Sequence, residues 1–157
     1  MKILYLLRHA DAQRTTSGND SKRFVSTKGI QELERLTSFL LSSGLKLDAV
    51  FCSSALRTKQ SWEFLKNSLG LETKFQLIEE LYNPLPDEII KFINNVDNSY
   101  NSILIISHNP VISQTANDLL VTHIDNFSTC NMACIGFDLD TWCEITNNLG
   151  TLIWFHT

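Results

Sequence analysis

The sequence predicts an α/β fold of three layers, α/β/α, with a mostly parallel central sheet and an antiparallel strand near one edge. Short apolar runs alternate with longer amphipathic segments, a pattern typical of βαβ units. The last two strand-like runs are joined by a short connection, which favours antiparallel pairing. With 157 residues, 43% of them hydrophobic, the chain has the length and composition of one domain spanning residues 1–157.

The first predicted strand and helix are separated by a polar segment. Residues 3–7 are apolar and end at the Arg8-His9 pair, as expected of a strand buried on both faces. The polar residues 11–22 are predicted to form a loop. A helix is predicted over 27–43, with N-caps available at 26 and 27 and a stop at Gly44. Its apolar stripe consists of Ile30, Leu33, Leu36 and Leu40.

A second strand and helix follow directly. Residues 48–52 are predicted to form a strand, after which Ser53 or Ser54 caps a helix that ends at Gly70. The predicted inward stripe of this helix consists of Ala55, Thr58, Trp62, Leu65 and Leu69.

The second half of the chain continues the alternation. Strands are predicted at 75–78 and 102–106, with a helix between them over 87–96 whose inward residues are Ile89, Ile90 and Ile93. Asn109 as N-cap and Pro110 at the first helical position predict a further helix start. The last two strands are predicted at 132–139 and 151–155, around a turn at 146–150.

Charge and composition exclude several classes of function. Thirteen Lys and Arg residues against seventeen Asp and Glu give a net charge of −4, which disfavours a nucleic-acid partner. The run 3–7 is too short for a signal peptide and no stretch is long enough to cross a membrane, so we expect a cytoplasmic protein. Four sparse cysteines lie in apolar segments and are expected to be free thiols, with neither a zinc site nor a disulfide: Cys52, Cys130, Cys134 and Cys143.

Cationic and ionisable residues follow three of the predicted strands. Arg8-His9 follows the first strand, Arg57 lies in the first turn after the second, and His108 follows the strand at 102–106. Ligands of parallel sheets bind at the carboxyl ends of strands, so these side chains are expected to form one pocket for a phosphoryl or other tetrahedral anion. Between residues 8 and 28, five basic residues outnumber two acidic ones, which concentrates positive charge there.

Each of these residues also has an ordinary structural interpretation. The Arg8-His9 pair suits a surface turn, His108 suits packing beside a helix start, and Arg57 suits a solvated helix position. Their joint placement at one edge of the sheet favours the functional interpretation.

The motifs resemble those of the histidine phosphatase superfamily, also called phosphoglycerate-mutase-like. Residues 6–12, Leu-Leu-Arg-His-Ala-Asp-Ala, resemble its opening Arg-His-Gly signature, and 52–61 resemble its Ser-Pro-x-x-Arg-Ala-x-Gln-Thr block. Residues 105–110 resemble the block in which a histidine follows an apolar strand. The stretch 23–29, Arg-Phe-Val-Ser-Thr-Lys-Gly, is similar to Arg-Pro-Leu-Thr-x-x-Gly of the short SixA-type branch.

The resemblance implies a mechanism and its residues. His9 would attack phosphorus and carry the phosphoryl group transiently, and water would then hydrolyse the phosphohistidine. The remaining implied roles are equatorial oxygen binding by Arg8, Arg57 and His108, leaving-group protonation by Glu80, and substrate contacts by Arg23 and Asn109. These cations would do the electrostatic work of a metal, so neither metal nor cofactor is expected. The ordinary interpretation of Glu80 is a solvated loop carboxylate.

Two departures from the family pattern leave the reacting groups in place. Ala10 stands where glycine is usual, which requires that residue 10 has a negative φ and that its methyl group fits. Ser54 and Ala55 stand where proline is common.

The short chain favours a protein substrate. It has little sequence with which to cover the pocket, and the resemblance to the SixA-type branch implies dephosphorylation of phosphohistidine on a histidine phosphotransfer or phosphocarrier domain. Two alternatives stay open: a small-molecule phosphomonoesterase on the same fold, and a non-catalytic phosphoryl-binding module. A mutase is disfavoured, because no extra segment is present to hold a bisphosphorylated intermediate.

Overall fold

A computed structural model describes residues 1–14 and 18–157. Its strands are β1 (Lys2–Arg8), β2 (Ala49–Ser53), β3 (Lys74–Ile78), β4 (Ser102–Ser107), β5 (Met132–Phe137) and β6 (Thr151–His156). Its helices are α1 (Thr27–Ser43), α2 (Leu56–Leu69), α3 (Pro86–Asn94) and α4 (Val111–Leu119). Single 3-10 turns occur at Asp20–Lys22, Glu79–Leu81 and Trp142–Glu144.

The six strands form one mixed sheet in the order β3-β2-β4-β1-β5-β6. The first four strands in this order pair in parallel, whereas β5 is antiparallel to both β1 and β6. The predicted fold class is therefore confirmed, including the antiparallel pair at one edge. Because β1 and β4 are parallel neighbours, with Arg8 opposite Ser107, the residues that follow the two strands emerge side by side.

The alternation of side chains along the strands divides the core into two layers. Leu4 and Leu6 of β1 pack on the side of α3 and α4, and Tyr5 and Leu7 pack on the side of α1 and α2. A fully buried leucine contributes about 1.5 to 3 kcal/mol, so these two layers hold the sheet rigid beneath the loops at its edge.

Helix α1 begins as predicted and is rotated slightly from its predicted stripe. The Ser26 hydroxyl accepts a hydrogen bond from the Gly29 backbone N–H, which confirms one predicted N-cap. A Cβ on Gly29 would overlap the Asp11 carbonyl oxygen, so glycine permits the close approach of α1 to the loop after β1. The inward stripe begins at Gly29, and the prediction that Ile30 faces inward is wrong, since Ile30 is exposed.

The N-caps predicted for the helices after β2 and β4 are wrong. Ala55 is the N-cap of α2, because the Ser53 hydroxyl contacts His108 and the Ser54 hydroxyl donates to Glu79. Pro110 is the N-cap of α4, because the Asn109 side chain donates to a loop carbonyl instead of capping the helix. In each case the predicted capping side chain has another hydrogen-bond partner.

The remaining boundaries differ from the prediction by a few residues. Helix α3 spans Pro86–Asn94 in place of 87–96, with its three isoleucines buried as predicted, and β5 ends at Phe137 rather than at 139. The predicted loop 11–22 contains a 3-10 turn at Asp20–Lys22, and its residues 15–17 lie outside the described residues.

The four cysteines are free thiols. Within 1–14 and 18–157, no helix is long and apolar enough to span a membrane.

Candidate active site

A polar cavity of about 560 Å³ lies at the carboxyl ends of β1, β2 and β4. Its volume is in the range of small-ligand sites, and its position is the one expected for ligands of a parallel sheet. The structure places six of the seven sequence-predicted site residues on its wall: Arg8, His9, Arg23, Arg57, His108 and Asn109. Asp20 and Tyr82, which the sequence analysis did not single out, also line it.

The ring of His9 is buried and fixed in one tautomer. Its Nδ1 lies 2.7 Å from the carbonyl oxygen of Ala10, and a carbonyl only accepts, so Nδ1 carries the proton. The lone pair of the neutral imidazole is therefore on Nε2. That atom lies 3.2 Å from Nε of Arg57, which donates to it. Nε2 of His9 is consequently an unprotonated nitrogen directed at a cation.

Arg57 lies between the two histidine rings. It is 5% exposed, and besides its bond to His9 it donates from Nη2 to Nδ1 of His108 at 3.1 Å. The ring centroids of His9 and His108 are 5.1 Å apart. Residues that lie far apart in the sequence thus form one cluster because β1, β2 and β4 are adjacent in the sheet.

The tautomer of His108 follows from the same reasoning. A guanidinium only donates, so Nδ1 of His108 accepts and Nε2 carries the proton. Nε2 lies 2.8 Å from the Ser53 hydroxyl at the end of β2, which accepts from it. Ser53 therefore holds the ring in place, which explains why this serine does not cap α2.

Both histidines are held neutral by their surroundings. Desolvation, reinforced by the positive charge of Arg57, lowers the pKa of His9 to about 4. Desolvation and the neighbouring His9 and Arg57 lower the pKa of His108 to about 3. At neutral pH both rings therefore present lone pairs in the cavity.

Arg8 is anchored by one end of its guanidinium. Nη1 donates to the carbonyl oxygen of Phe127 at 3.0 Å, and the same carbonyl accepts from the Asn109 side chain at 2.7 Å. Nε of Arg8 is buried and has no partner within the described residues. Desolvation lowers the pKa of Arg8. A buried N–H donor without a partner at the wall of a polar cavity suits the binding of an anion.

The relatives found by sequence are described as uncharacterised proteins. An uncharacterised protein of Mycobacterium tuberculosis is 25% identical over 160 residues, which cover 96% of this chain and 98% of the relative. An uncharacterised protein of Mycobacterium leprae is 31% identical over 97 residues, which cover 62% of this chain and 58% of the relative. No family model matches the sequence.

Solved structures match the whole chain. A candidate phosphohistidine phosphatase SixA from Nakamurella multipartitia superposes with a TM-score of 0.86 at 21% identity, covering 99% of this chain and 95% of the other. The protein histidine phosphatase SixA complexed with tungstate superposes with a TM-score of 0.83 at 23% identity, covering 98% and 95%. The chain has the histidine phosphatase fold.

The histidine phosphatase fold also includes enzymes described by small-molecule substrates. A candidate α-ribazole-5'-P phosphatase from Escherichia coli superposes with a TM-score of 0.70 at 16% identity, covering 96% of this chain and 100% of the other. The SixA structures have the higher TM-scores.

The structure shows how alanine is accommodated where the histidine phosphatase pattern has glycine. Ala10 is fully buried and does not belong to the described residues with positive φ, so a Cβ is compatible with its backbone. Its backbone N–H donates to the Ser61 hydroxyl at 3.0 Å, and Ser61 donates in turn to the Arg57 carbonyl. The loop after β1 is therefore fastened to α2, the helix that carries Arg57.

Glu80, the residue expected to protonate the leaving group, does not line the cavity. It lies on the 3-10 turn Glu79–Leu81, exposed, beside a neighbouring groove. The adjacent Tyr82 lines the cavity instead, and its ring packs edge-on against His108 with centroids 5.7 Å apart.

Asp20 is a cavity residue that the sequence analysis missed. Its carboxylate accepts hydrogen bonds from Arg23, Arg57 and Tyr82. Desolvation acts to raise its pKa, but these hydrogen bonds and charges outweigh that effect and lower the pKa to about 2. The count of two acidic residues in the basic segment 8–28 included Asp20, but nothing in its spacing indicated that it would contact Arg57.

Glu32 of α1 is a second missed residue, and its side chain contacts two residues of the cavity wall. Its Oε2 accepts from the Asp11 backbone N–H at 2.9 Å, and its Oε1 accepts from the Thr129 hydroxyl at 2.8 Å. Glu32 is 9% exposed. It therefore connects the loop that follows His9 to Thr129, and both Asp11 and Thr129 line the cavity. A charged residue within an otherwise buried helical stripe was the available sequence signal.

Proposed function

We propose that this protein is a phosphatase that removes the phosphoryl group of phosphohistidine on another protein through a covalent intermediate at His9. The observation that carries the proposal is the state of His9: neutral, fixed by its Nδ1–H, with Nε2 directed at Arg57. A buried, unprotonated imidazole beside cations is suited to nucleophilic attack on a phosphoryl group.

In the first step, Nε2 of His9 attacks phosphorus and the bond between phosphorus and the substrate's imidazole nitrogen breaks. The electron pair of that bond goes to the substrate nitrogen, and the substrate's imidazole leaves as a neutral ring that has taken one proton from solvent. The Nδ1–H bond to the Ala10 carbonyl stabilises the positive charge that develops on the His9 ring. Arg57 loses its acceptor on His9 at this moment, so its Nε–H becomes available to a phosphoryl oxygen.

In the second step, water attacks the phosphoryl group on His9. The bond from Nε2 to phosphorus breaks, its electron pair returns to Nε2, and inorganic phosphate leaves. Arg8 and Arg57 carry the positive charge that stabilises the oxygens in both steps, and the buried Nε–H of Arg8, which has no partner among the described residues, is a donor for one of them. The proposal assigns no step to a metal or cofactor.

A phosphohistidine substrate requires little from a general acid. Imidazole is a good leaving group once protonated, so the position of Glu80 outside the cavity wall does not weaken the proposal. A histidine phosphotransfer or phosphocarrier domain is the proposed partner. Support comes from the likeness to structures described as a phosphohistidine phosphatase and a protein histidine phosphatase.

A small-molecule phosphomonoesterase is the second candidate. The likeness to the candidate α-ribazole-5'-P phosphatase favours it, since that structure shares the fold and is described by a small substrate. An alcohol leaves less readily than imidazole and needs a general acid. Of the two carboxylates on the described cavity wall, Asp20 has a pKa of about 2 and Asp11 already accepts a hydrogen bond from the Ser26 hydroxyl. This favours the phosphohistidine substrate.

The two candidates are separated by competition between substrates. A phosphohistidine-bearing phosphocarrier protein and a panel of phosphomonoesters are offered at equal concentration, and kcat/KM is measured for each. We expect the phosphoprotein to have the higher kcat/KM. A higher value for any phosphomonoester would overturn the protein-substrate proposal and favour the second candidate.

A further inference from the structure

Asp20 accepts two hydrogen bonds from Arg57, in addition to those that Arg57 makes with the two histidines. Nη1 of Arg57 donates to the Asp20 carbonyl oxygen at 2.8 Å, and Nη2 donates to Oδ2 of Asp20 at 3.0 Å. The Nε–H and the other Nη2–H point to His9 and His108. Asp20 thus accepts from two N–H donors of the Arg57 guanidinium, while two further donors point to His9 and His108, where the phosphoryl group is proposed to react.

The Asp20 carboxylate is itself held from two directions. The Tyr82 hydroxyl donates to Oδ2 at 3.0 Å, and Nη1 of Arg23 donates to Oδ1 at 3.1 Å. Although Asp20 is half exposed, both of its carboxylate oxygens are therefore hydrogen-bonded. The result is a chain of contacts from Tyr82 through Asp20 to Arg57.

We propose that Asp20, held by Tyr82, is the positioning residue that orients Arg57 for phosphoryl transfer. The inference rests on the proposed function of this site. An arginine side chain has several rotatable bonds, and catalysis gains when its donors are aimed before the substrate arrives. Two hydrogen bonds from one residue fix both the position and the plane of the guanidinium.

A competing interpretation makes the opposite prediction. If the negative charge of Asp20 only competed with a phosphoryl group for Arg57, its removal would tighten anion binding and leave turnover unchanged. If Asp20 positions Arg57, its removal slows turnover, and the resting site does not bind an anion more tightly.

Asp20→Asn separates these interpretations, because it removes the charge and turns one of the two accepting carboxylate oxygens into a donor, while the backbone carbonyl that accepts from Nη1 of Arg57 stays. The measurements are kcat and KM with phosphoramidate and the dissociation constant of tungstate. We expect kcat to fall by about tenfold to a hundredfold, with the tungstate dissociation constant within about threefold of the wild type. Tighter tungstate binding with unchanged kcat would overturn the proposal. Asp125→Asn, at an exposed position, is the control for loss of charge.

Tyr82→Phe removes only the hydroxyl that donates to Asp20. We expect it to lower kcat by about twofold to fivefold on its own and to have no further effect in the Asp20→Asn background. Independent, multiplicative effects of the two changes would contradict the proposed chain of contacts. Thermal unfolding of each variant identifies a general loss of structure, which would lower Tm and tungstate binding together and overturn the positioning role.

Arginine side-chain NMR tests the same inference without any turnover. In the wild type we expect a sharp, slowly exchanging Nε–H resonance for Arg57, and in Asp20→Asn a broadened, fast-exchanging one. An unchanged resonance would overturn the inference. If the wild type hydrolysed no phosphoryl substrate, the proposed function would fail, whereas this measurement would still decide whether Asp20 orders Arg57.

Discussion

Arg57 donates its Nε–H to Nε2 of His9 across 3.2 Å, so the proposed nucleophile and its principal cation are directly hydrogen-bonded. In the resting site this bond keeps the lone pair of His9 in place and opposes protonation of the ring. In the proposed first step Nε2 attacks phosphorus, and the same N–H is then released towards the phosphoryl oxygens. The proposed mechanism therefore requires Arg57 and His9 to exchange hydrogen-bond partners during the reaction.

Replacing Arg57 by lysine tests this exchange of partners. Lysine keeps the charge but cannot donate from fixed positions to both rings, so we expect kcat/KM to fall by roughly 10²- to 10³-fold. Arg23→Lys is the matched control. Arg23 already donates to Gln13, Ala12 and Asp20, and we expect a loss of less than about tenfold. An equal fall in kcat/KM in the two variants would contradict the role proposed for Arg57.

The buried neutral histidines make stability depend on pH. In the unfolded chain a histidine has its ordinary pKa near 6.5, whereas in the fold the pKa of His9 is about 4 and that of His108 about 3. Between these values the unfolded state binds more protons. The free energy of unfolding therefore decreases as the pH falls from about 6.5 towards 4, by on the order of 3 kcal/mol for His9. Urea unfolding at several pH values measures this.

A variant of His9 tests whether this histidine causes the dependence of the unfolding free energy on pH. His9→Gln removes one of the two groups and should flatten the dependence of unfolding free energy on pH. His123→Gln, at an exposed position, should leave the dependence as in the wild type. A slope that His9→Gln does not change would show that this histidine is protonated at its ordinary pKa in the fold.

Glu80→Gln tests whether the exposed carboxylate protonates the leaving group. Since Glu80 lies beside a neighbouring groove, we expect kcat on a phosphohistidine substrate to stay within about threefold of the wild type. Glu72→Gln, in the exposed connection between α2 and β3, is the control. A loss of more than about tenfold confined to Glu80→Gln would restore the role that the family resemblance implies.

Glu32→Ala tests the contacts of Glu32 with Asp11 and Thr129. It removes the acceptor of both the Asp11 N–H and the Thr129 hydroxyl, so we expect the free energy of unfolding to fall by about 1 to 3 kcal/mol. Glu32→Gln should recover most of the loss, because its amide can accept from Asp11 and donate to Thr129. Denaturant unfolding measures both variants. Equal stability of Glu32→Ala and the wild type would contradict the structural role of this contact.

The sequence predicts the parts of the fold that depend on local pattern. Alternating apolar runs and helical stripes indicated the strands and helices, and the positions after β1, β2 and β4 indicated the cluster of Arg8, His9, Arg57 and His108. These predictions succeed because burial imposes a regular spacing of apolar residues on each strand and helix, and because parallel strands end at the same edge of the sheet.

The errors arise where a side chain makes a long-range contact in place of a local one. Ser53 and Asn109 were predicted to cap helices, but they contact His108 and the Phe127 carbonyl, respectively. Asp20 and Glu32 were missed because their partners are distant in sequence. Local preference for capping is worth about 1 kcal/mol, so tertiary contacts of similar strength override it.

The most direct test of the account is to trap a phosphoenzyme. The protein is mixed with a radiolabelled phosphohistidine substrate, quenched within milliseconds, and examined for label that is stable in base and lost in acid. We predict label on His9 in the wild type and none in His9→Ala, which should retain the fold and lose turnover. Release of phosphate at an undiminished rate by His9→Ala, or the absence of label from His9 while the wild type turns over, would contradict the account.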